Sequence, residues 1–242
     1  MKTLKTFLFF SVGIAVCVLS SSASAVSVAE WDVAGNASNA SKVSVLSTAN
    51  GVSATDITAT GVNVLRAGSS KYAGVFCSNH WATSEVRDTS KYYSWSITDT
   101  VGYDLTSIVM SLSRGKYEDN DNPDEPYGAS KWDLYVNDQL VGTIDLDNYD
   151  GNGTAAQPDE PIVWTVDLTS VLSASLYVFK LYGYSDEGGS DYAGLNESWY
   201  SHSGTNVTLY GSAVPEPLTV LSVMLGCSGL GYYLKKRLSN IF

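Results

Sequence analysis

The chain has 242 residues, of which 25 are acidic and 14 are basic, and its net charge is −11. Residues 26–213 carry 24 of the acids and nine of the bases, and this negative charge argues against nucleic acid or an anionic lipid surface as their partner. Their length of about 190 residues suits a single domain. Cys77 is the one cysteine among them, so they form no internal disulfide and their stability must come from a core.

The N-terminus has the pattern of a secretory signal peptide. Two lysines precede an apolar stretch over residues 7–19, and Ala23-Ser24-Ala25 supplies the small residues that signal peptidase requires. We therefore expect residues 1–25 to be removed and the mature, exported chain to begin at Val26.

Residues 26–213 predict strands rather than helices. Apolar side chains alternate with polar ones in short segments separated by turn residues, whereas no ten-residue stretch has a helical period. The clearest inward-facing sets are Tyr93, Trp95 and Ile97; Ile108, Met110 and Leu112; Trp132, Leu134 and Val136; Ile162, Trp164, Val166 and Leu168; Tyr177, Phe179 and Leu181; and Val207 and Leu209.

Turn signals complete this interpretation. Asn137-Asp138 predicts a tight hairpin turn, breaks are expected at Gly51 and Gly61, and residues 169–172 are expected to form one helical turn. Trp31 is the expected core anchor of the weakly patterned N-terminal part. About eight to ten strands with one apolar face each predict an all-β fold, a single antiparallel β-sandwich of jelly-roll type.

Closely spaced acids in one connection suggest a calcium site. The segment from Asp145 to Gly153 contains Asp145, Asp147 and Asp150 among amides and glycines, which can surround Ca²⁺ with oxygen ligands. Its register differs from that of a helix–loop–helix calcium site, because Asp150 stands where that loop needs a glycine. The alternative is a solvated acidic loop.

Aromatic residues in the polar connections are candidate glycan contacts. A ring can lie flat on the C–H face of a sugar while neighbouring carboxylates and amides accept its hydroxyl hydrogens. The alternative is that these rings only cover the ends of the sandwich. The candidates are Tyr127, Tyr149, Tyr184, Tyr192, Trp199 and Tyr200.

Signatures of catalysis are missing from the sequence. The two histidines, His80 and His202, each stand beside aromatic residues, and no zinc-protease, serine-hydrolase or phosphate-binding motif occurs. We name no catalytic residue and expect a protein that is not an enzyme, although the sequence alone cannot identify a pair of glycosidase carboxylates among so many acids.

The residues after position 213 form three successive parts. Val214-Pro215-Glu216-Pro217 is followed by an uncharged apolar run over residues 218–234 and then by Lys235-Lys236-Arg237. As a helix the run would be about 26 Å long, close to the thickness of a hydrocarbon core. Basic residues directly after it predict a transmembrane helix with a cytoplasmic C-terminus and the preceding chain outside.

This order of motif, span and basic end resembles the PEP-CTERM sorting signal of Gram-negative bacteria over residues 214–237. The resemblance implies recognition by exosortase, a membrane protease-transpeptidase, followed by removal of the tail and delivery to the cell surface or extracellular matrix. The strand motifs up to Val207-Thr208-Leu209-Tyr210-Gly211 are also similar to the sandwich domains of many PEP-CTERM proteins, whose fold resembles carbohydrate-binding modules.

We therefore expect an exported protein of the Gram-negative envelope, anchored first in the inner membrane. The expected function is that of a non-catalytic surface or matrix protein with polysaccharide as its ligand and an exosortase as its processing partner. Two alternatives stay open: a secreted glycan-active hydrolase with the same architecture, and a simple membrane-anchored structural protein whose tail is never cut.

Overall fold

The chain folds into two antiparallel β-sheets that enclose one hydrophobic core. The computed structural model describes residues 24–33, 35, 41–64, 75–116, 126–148, 161–186, 193–196 and 205–213. Residues 1–23 of the predicted signal peptide (residues 1–25) and the whole of the predicted sorting signal from residue 214 lie outside these residues. Among the described residues, no helix has the length and apolar character needed to cross a bilayer.

The larger sheet contains nine of the described strands. Its central path runs β3-β1-β16-β9-β15-β7-β6, and β10 and β13 pair with β9 as well. The strands are β1 (Val26–Trp31), β3 (Val45–Thr48), β6 (Asn63–Val64), β7 (Val75–Asn79), β9 (Tyr103–Lys116), β10 (Pro126–Tyr127), β13 (Ile162–Asp167), β15 (Ala193–Asn196) and β16 (Val207–Ala213).

The smaller sheet contains seven of the described strands. Its path runs β12-β11-β14-β8-β5-β2, and β4 also pairs with β8. The strands are β2 (Lys42–Val43), β4 (Val52–Ala54), β5 (Ile57–Thr60), β8 (Tyr92–Asp99), β11 (Ala129–Val136), β12 (Gln139–Asp145) and β14 (Leu176–Asp186). One 3₁₀ helix, Leu146–Asn148, follows β12.

The core confirms most of the predicted alternation. Every member of the sets listed from the sequence is buried except Trp164, which is half-buried. Aromatic rings fill the space between the sheets: Trp95 stacks on Phe179 with ring centroids 5.2 Å apart, and Trp81 meets Trp132 edge-on at 5.0 Å. Such pairs add to the stabilisation that comes from burying their area.

The turns confirm one prediction and correct another. Asn137 and Asp138 have φ angles of 48° and 63° and join β11 to β12, as a two-residue hairpin of type I′ requires. Where one helical turn is expected over residues 169–172, the structure has a single hydrogen-bonded turn, in which the Val171 N–H donates to the Leu168 carbonyl at 2.9 Å, and no helix. Gly51 and Gly61 have positive φ at strand breaks, as expected, and Trp31 is fully buried.

The two ends of the sandwich differ. At the short-turn end lie the β8–β9 turn (residues 100–102), the Asn137–Asp138 turn and the loop 168–175, which are held to one another by backbone hydrogen bonds such as Asp99 N–H to the Ser175 carbonyl. Strand pairing brings together the opposite ends of the same strands, with Arg114 beside Ala193, Ala129 beside Asp186 and Lys131 beside Asp145. We call this second end the long-loop end, because strands that end there are separated in the sequence by residues 117–125, 149–160 and 187–192, which lie outside the described residues.

Candidate functional site

The outer face of the seven-stranded sheet carries a cluster of tyrosines. The cluster occupies outward positions that alternate with core residues along three neighbouring strands: Tyr135 on β11, Tyr182 and Tyr184 on β14, and Tyr92 on β8. The Tyr182 ring lies 5.5 Å from that of Tyr135 and 5.4 Å from that of Tyr92. We call these four residues the tyrosine face.

A strap formed by residues 82–91 borders this face. It leaves β7 after Trp81, whose buried ring anchors it in the core. Ala82 forms a parallel bridge with Tyr184, and the Ser185 N–H donates to the Ser84 carbonyl at 3.1 Å. The strap therefore extends the sheet locally before it crosses towards β11.

Arg87 is the strap residue whose side chain lies over a ring of the tyrosine face. Its guanidinium lies over the Tyr135 ring, 4.3 Å from the centroid, and it also donates to the Tyr135 hydroxyl. A second contact joins Arg87 to the carboxylate of Asp133 at 3.4 Å. A guanidinium stacked on a ring in this way is held by cation–π attraction as well as by its hydrogen bonds.

Asp133 is the polar centre of the site and only 6% exposed. Its carboxylate accepts hydrogen bonds from the Thr143 hydroxyl at 2.9 Å and the Tyr184 hydroxyl at 3.3 Å, in addition to Arg87. Burial and then the Asp133 carboxylate raise the pKa of Tyr184 to about 12, because both disfavour the phenolate. Tyr184 is therefore a neutral hydrogen-bond donor at physiological pH.

Two cavities open on the same outer face. The strap cavity, of about 390 Å³, is lined by Glu85, Val86, Arg87, Thr89, Asp133 and Tyr184. The sheet cavity, of about 560 Å³, is lined chiefly by hydroxyl and charged side chains, namely Lys42, Thr55, Asp56, Thr58, Ser94 and Ser96. Each is large enough for a small organic ligand, and their walls offer both donors and acceptors.

Of the predicted glycan contacts, Tyr184 is the one whose side chain the structure describes, and it lies in this site. The sequence predicts a loop position for it, but β14 continues through Tyr184 to Asp186. The backbone of Tyr127 belongs to β10 and pairs with Gly115 at the long-loop end. Tyr149, Tyr192, Trp199 and Tyr200 lie outside the described residues.

The sequence interpretation missed Tyr135, Tyr182, Arg87 and Asp133. The signal was present for the two tyrosines, since each stands at an outward position of an alternating strand, where a large ring needs either a cover or a ligand. Nothing local identifies Arg87, because its role depends on the strap that folds back onto β11.

The predicted calcium ligands are only partly described. The Asp147 carboxylate forms an ion pair with the buried Arg114, and the Asp147 N–H donates to the Asp145 carboxylate at 3.0 Å. Asp150 lies outside the described residues, and within the parts of the chain that are described no three potential ligands come together around a metal position. The calcium site therefore stays a prediction.

Two potentially reactive side chains are held in structural contacts. The exposed His80 ring lies within hydrogen-bonding distance of the Asn79 and Asn63 side chains, 2.7 and 3.1 Å away. Cys77 is buried, and burial raises the pKa of its thiol to about 12, so the thiolate needed for nucleophilic chemistry is scarce at neutral pH. His202 is outside the described residues.

No family model and no curated protein matches this chain. Among solved structures it is similar to a family 29 carbohydrate-binding module, with 16% identity over 81% of this chain and 97% of that chain and a TM-score of 0.34. A mutant of the module CBM29-2 complexed with mannohexaose gives 14% identity, 78% and 92% coverage and the same TM-score. Similarity at this level supports no inference about a ligand, so the conclusions below rest on the chain's own residues.

Proposed function

We propose that this chain is an exported, non-catalytic protein of the cell surface or extracellular matrix whose jelly-roll-like sandwich binds polysaccharide on the tyrosine face. The observation that carries the proposal is the combination of the partly exposed rings of Tyr92, Tyr135 and Tyr184 with a carboxylate and a guanidinium that line the strap cavity. Rings of this kind stack on sugar C–H faces, while Asp133 and Arg87 match sugar hydroxyls as acceptor and donor.

The spacing of the two cavities favours an oligosaccharide over a single sugar. Asp133 on β11 and Thr58 on β5 are three strands apart, which is about 14 Å at the usual spacing of about 4.8 Å. A ligand that reaches both cavities must therefore be an extended chain of several sugar rings.

Sorting by the predicted PEP-CTERM signal completes the proposal. The signal peptide exports the chain, residues 218–234 hold it in the inner membrane with residues 235–237 in the cytoplasm, and an exosortase removes the tail. The mature protein then reaches the envelope surface of a Gram-negative bacterium. Intact-mass measurement on protein from the native host tests this pathway. A mature species that retains Leu218 to Phe242 would refute removal of the tail and favour the alternative, a membrane-anchored protein that is never cut.

Binding is tested on a glycan array with the mature chain and three variants. Tyr184→Phe removes one hydroxyl from the site and keeps the ring. The lost hydrogen bond contributes about 1 kcal/mol, so the variant should bind about fivefold more weakly. Thr58→Trp fills the sheet cavity from an exposed strand position, so it should weaken long oligosaccharides and spare short ones. Tyr210→Phe is the matched control, because Tyr210 lies on the other sheet and should leave binding unchanged.

The outcomes separate the functional classes. Loss of affinity in the first two variants, with the control unchanged and melting temperatures preserved, supports recognition on the tyrosine face. Release of reducing ends from the same polysaccharides would show that the protein is a hydrolase. Absence of both binding and turnover would favour a structural matrix protein.

A further inference from the structure

The short-turn end of the sandwich exposes apolar side chains. Val101 is 45% exposed, Leu172 83% and Leu176 49%, and Val26, which pairs with Gly211 near the same end, is 43% exposed. These four make up half of the large apolar side chains that are exposed among the described residues. Isolated exposed apolar residues are ordinary, but a concentration at one end marks a contact surface.

Two side-chain contacts fix the loops at this end, one made by a buried carboxylate and one by a pair of exposed residues. The Asp99 carboxylate, only 3% exposed, accepts hydrogen bonds from the backbone N–H groups of Val101, Gly102 and Tyr103 at 2.9, 2.8 and 2.5 Å. The Ser173 hydroxyl donates to Asp104 at 2.9 Å. These contacts fix the loops that carry Val101, which packs beside Gly51 and stays 45% exposed, and Leu172, which is 83% exposed.

The chain leaves the sandwich at this same end. Ala213, the last residue of β16, pairs with Tyr103, the first residue after the β8–β9 turn. Only residues 214–217 separate Ala213 from the apolar run 218–234. Five residue steps span at most about 18 Å, so the short-turn end lies close to the lipid surface whenever that run crosses the membrane.

We propose that, before the tail is removed, the short-turn end rests on the membrane with Val101, Leu172 and Leu176 in the headgroup layer. The ectodomain then stands upright and presents the long-loop end away from the lipid. This inference rests on the membrane-spanning part of the proposed function. The tether alone would allow the sandwich to lie on its side, and the apolar tips select the upright orientation.

Charge selects the kind of lipid surface. The exposed acids Asp104, Asp138 and Asp167 lie at this end. The described side-chain cation beside them, Lys180, is paired with Asp138, and the α-ammonium of a mature chain that begins at Val26 would balance one more of these carboxylates. Anionic headgroups would be repelled by this excess of carboxylates. The surface therefore fits zwitterionic phospholipid, which the apolar tips enter without an electrostatic penalty.

The test places a polarity-sensitive fluorophore on the chain with its tail, reconstituted in phosphatidylcholine vesicles. Leu172→Cys carries the probe at the short-turn end, and Val163→Cys is the matched control, since Val163 is 48% exposed but lies on β13 opposite Ser111, away from that end. Cys227 is replaced by serine in both, and the buried Cys77 does not react. We expect a blue shift and quenching by lipid-attached quenchers at position 172 and neither at position 163.

The outcomes keep the two proposals apart. If the chain does not float with the vesicles, residues 218–234 do not insert into the membrane, and the membrane-anchored intermediate of the proposed function is refuted as well. If the chain floats but the probe at 172 is as accessible to aqueous iodide as the probe at 163, the span stands and the docked end is refuted. Protection at 172 that disappears when the protein is diluted among more vesicles would indicate contact with a second copy, which also overturns the proposal.

Discussion

Asn137 gives the sharpest test of how the short-turn end is built. It stands first in the type I′ turn with φ 48°, and its side chain bridges to the neighbouring strand. Its Oδ1 accepts from the Val178 N–H at 2.8 Å and its Nδ2 donates to the Leu176 carbonyl at 3.2 Å. Asn137→Ala removes both hydrogen bonds. It also places alanine in the left-handed region, which asparagine tolerates better because its polar side chain can form local hydrogen bonds.

The two effects can be estimated separately. Asn137 is exposed, so water replaces part of each lost bond, and the pair contributes about 1 kcal/mol together. The left-handed conformation costs alanine about 1 kcal/mol or more. Asn137→Ala should therefore lower the free energy of unfolding by about 2 kcal/mol, while Asn137→Gly, which relieves the strain, should lower it by about 1 kcal/mol.

Urea titrations followed by tryptophan fluorescence measure these differences. Asp138→Gly serves as the control: its φ is 63°, and it loses only an ion pair to Lys180 in which the Asp138 side chain is 82% exposed, so its stability should change by less than about 0.5 kcal/mol. Equal stability of the alanine and glycine variants at position 137 would refute the strain argument. A loss below about 0.5 kcal/mol in both would refute the bridge to β14.

Two further predictions concern Cys77 and the acidic segment. Burial holds the folded pKa of Cys77 at about 12, above its ordinary 9.0, so above pH 9 the folded state keeps a proton that the unfolded state loses. The free energy of unfolding should therefore fall by about 1 kcal/mol between pH 9 and 10 on account of this thiol. Cys77→Ala should remove that part of the fall in urea titrations, and equal falls in the two proteins would contradict it. Millimolar Ca²⁺ should raise the melting temperature if Asp145, Asp147 and Asp150 bind it, and Asp150→Asn should abolish the rise without breaking the Asp147–Arg114 pair. An unchanged melting temperature would remove the calcium site.

The sequence predicted those parts of the fold that depend on local pattern. Alternation identified the core face of β8 at Tyr93, Trp95 and Ile97, because period two is imposed by the strand backbone itself. The left-handed turn at Asn137-Asp138 was predictable for the same reason, since few residues adopt that conformation.

The candidate site was mostly invisible because it depends on contacts between distant segments. Alternation places Asp133 and Tyr182 outside, yet both are buried, since Arg87 and its neighbours in the strap cover that part of the sheet. No spacing within β11 or β14 shows that a loop from residues 82–91 returns to them. A polar residue at an outward position becomes a site only after tertiary folding decides what lies above it.

The position of β16 has a consequence for the timing of export. The last strand to leave the ribosome is inserted between β1, the first strand of the mature chain, and β9, so the middle of the nine-stranded sheet cannot close until residues 207–213 have emerged. Pairing between segments so far apart is slow to form. If the chain is exported and anchored as proposed, it should therefore stay incompletely folded during translocation and complete its fold only when residues 218–234 reach the membrane, so that folding and anchoring would coincide.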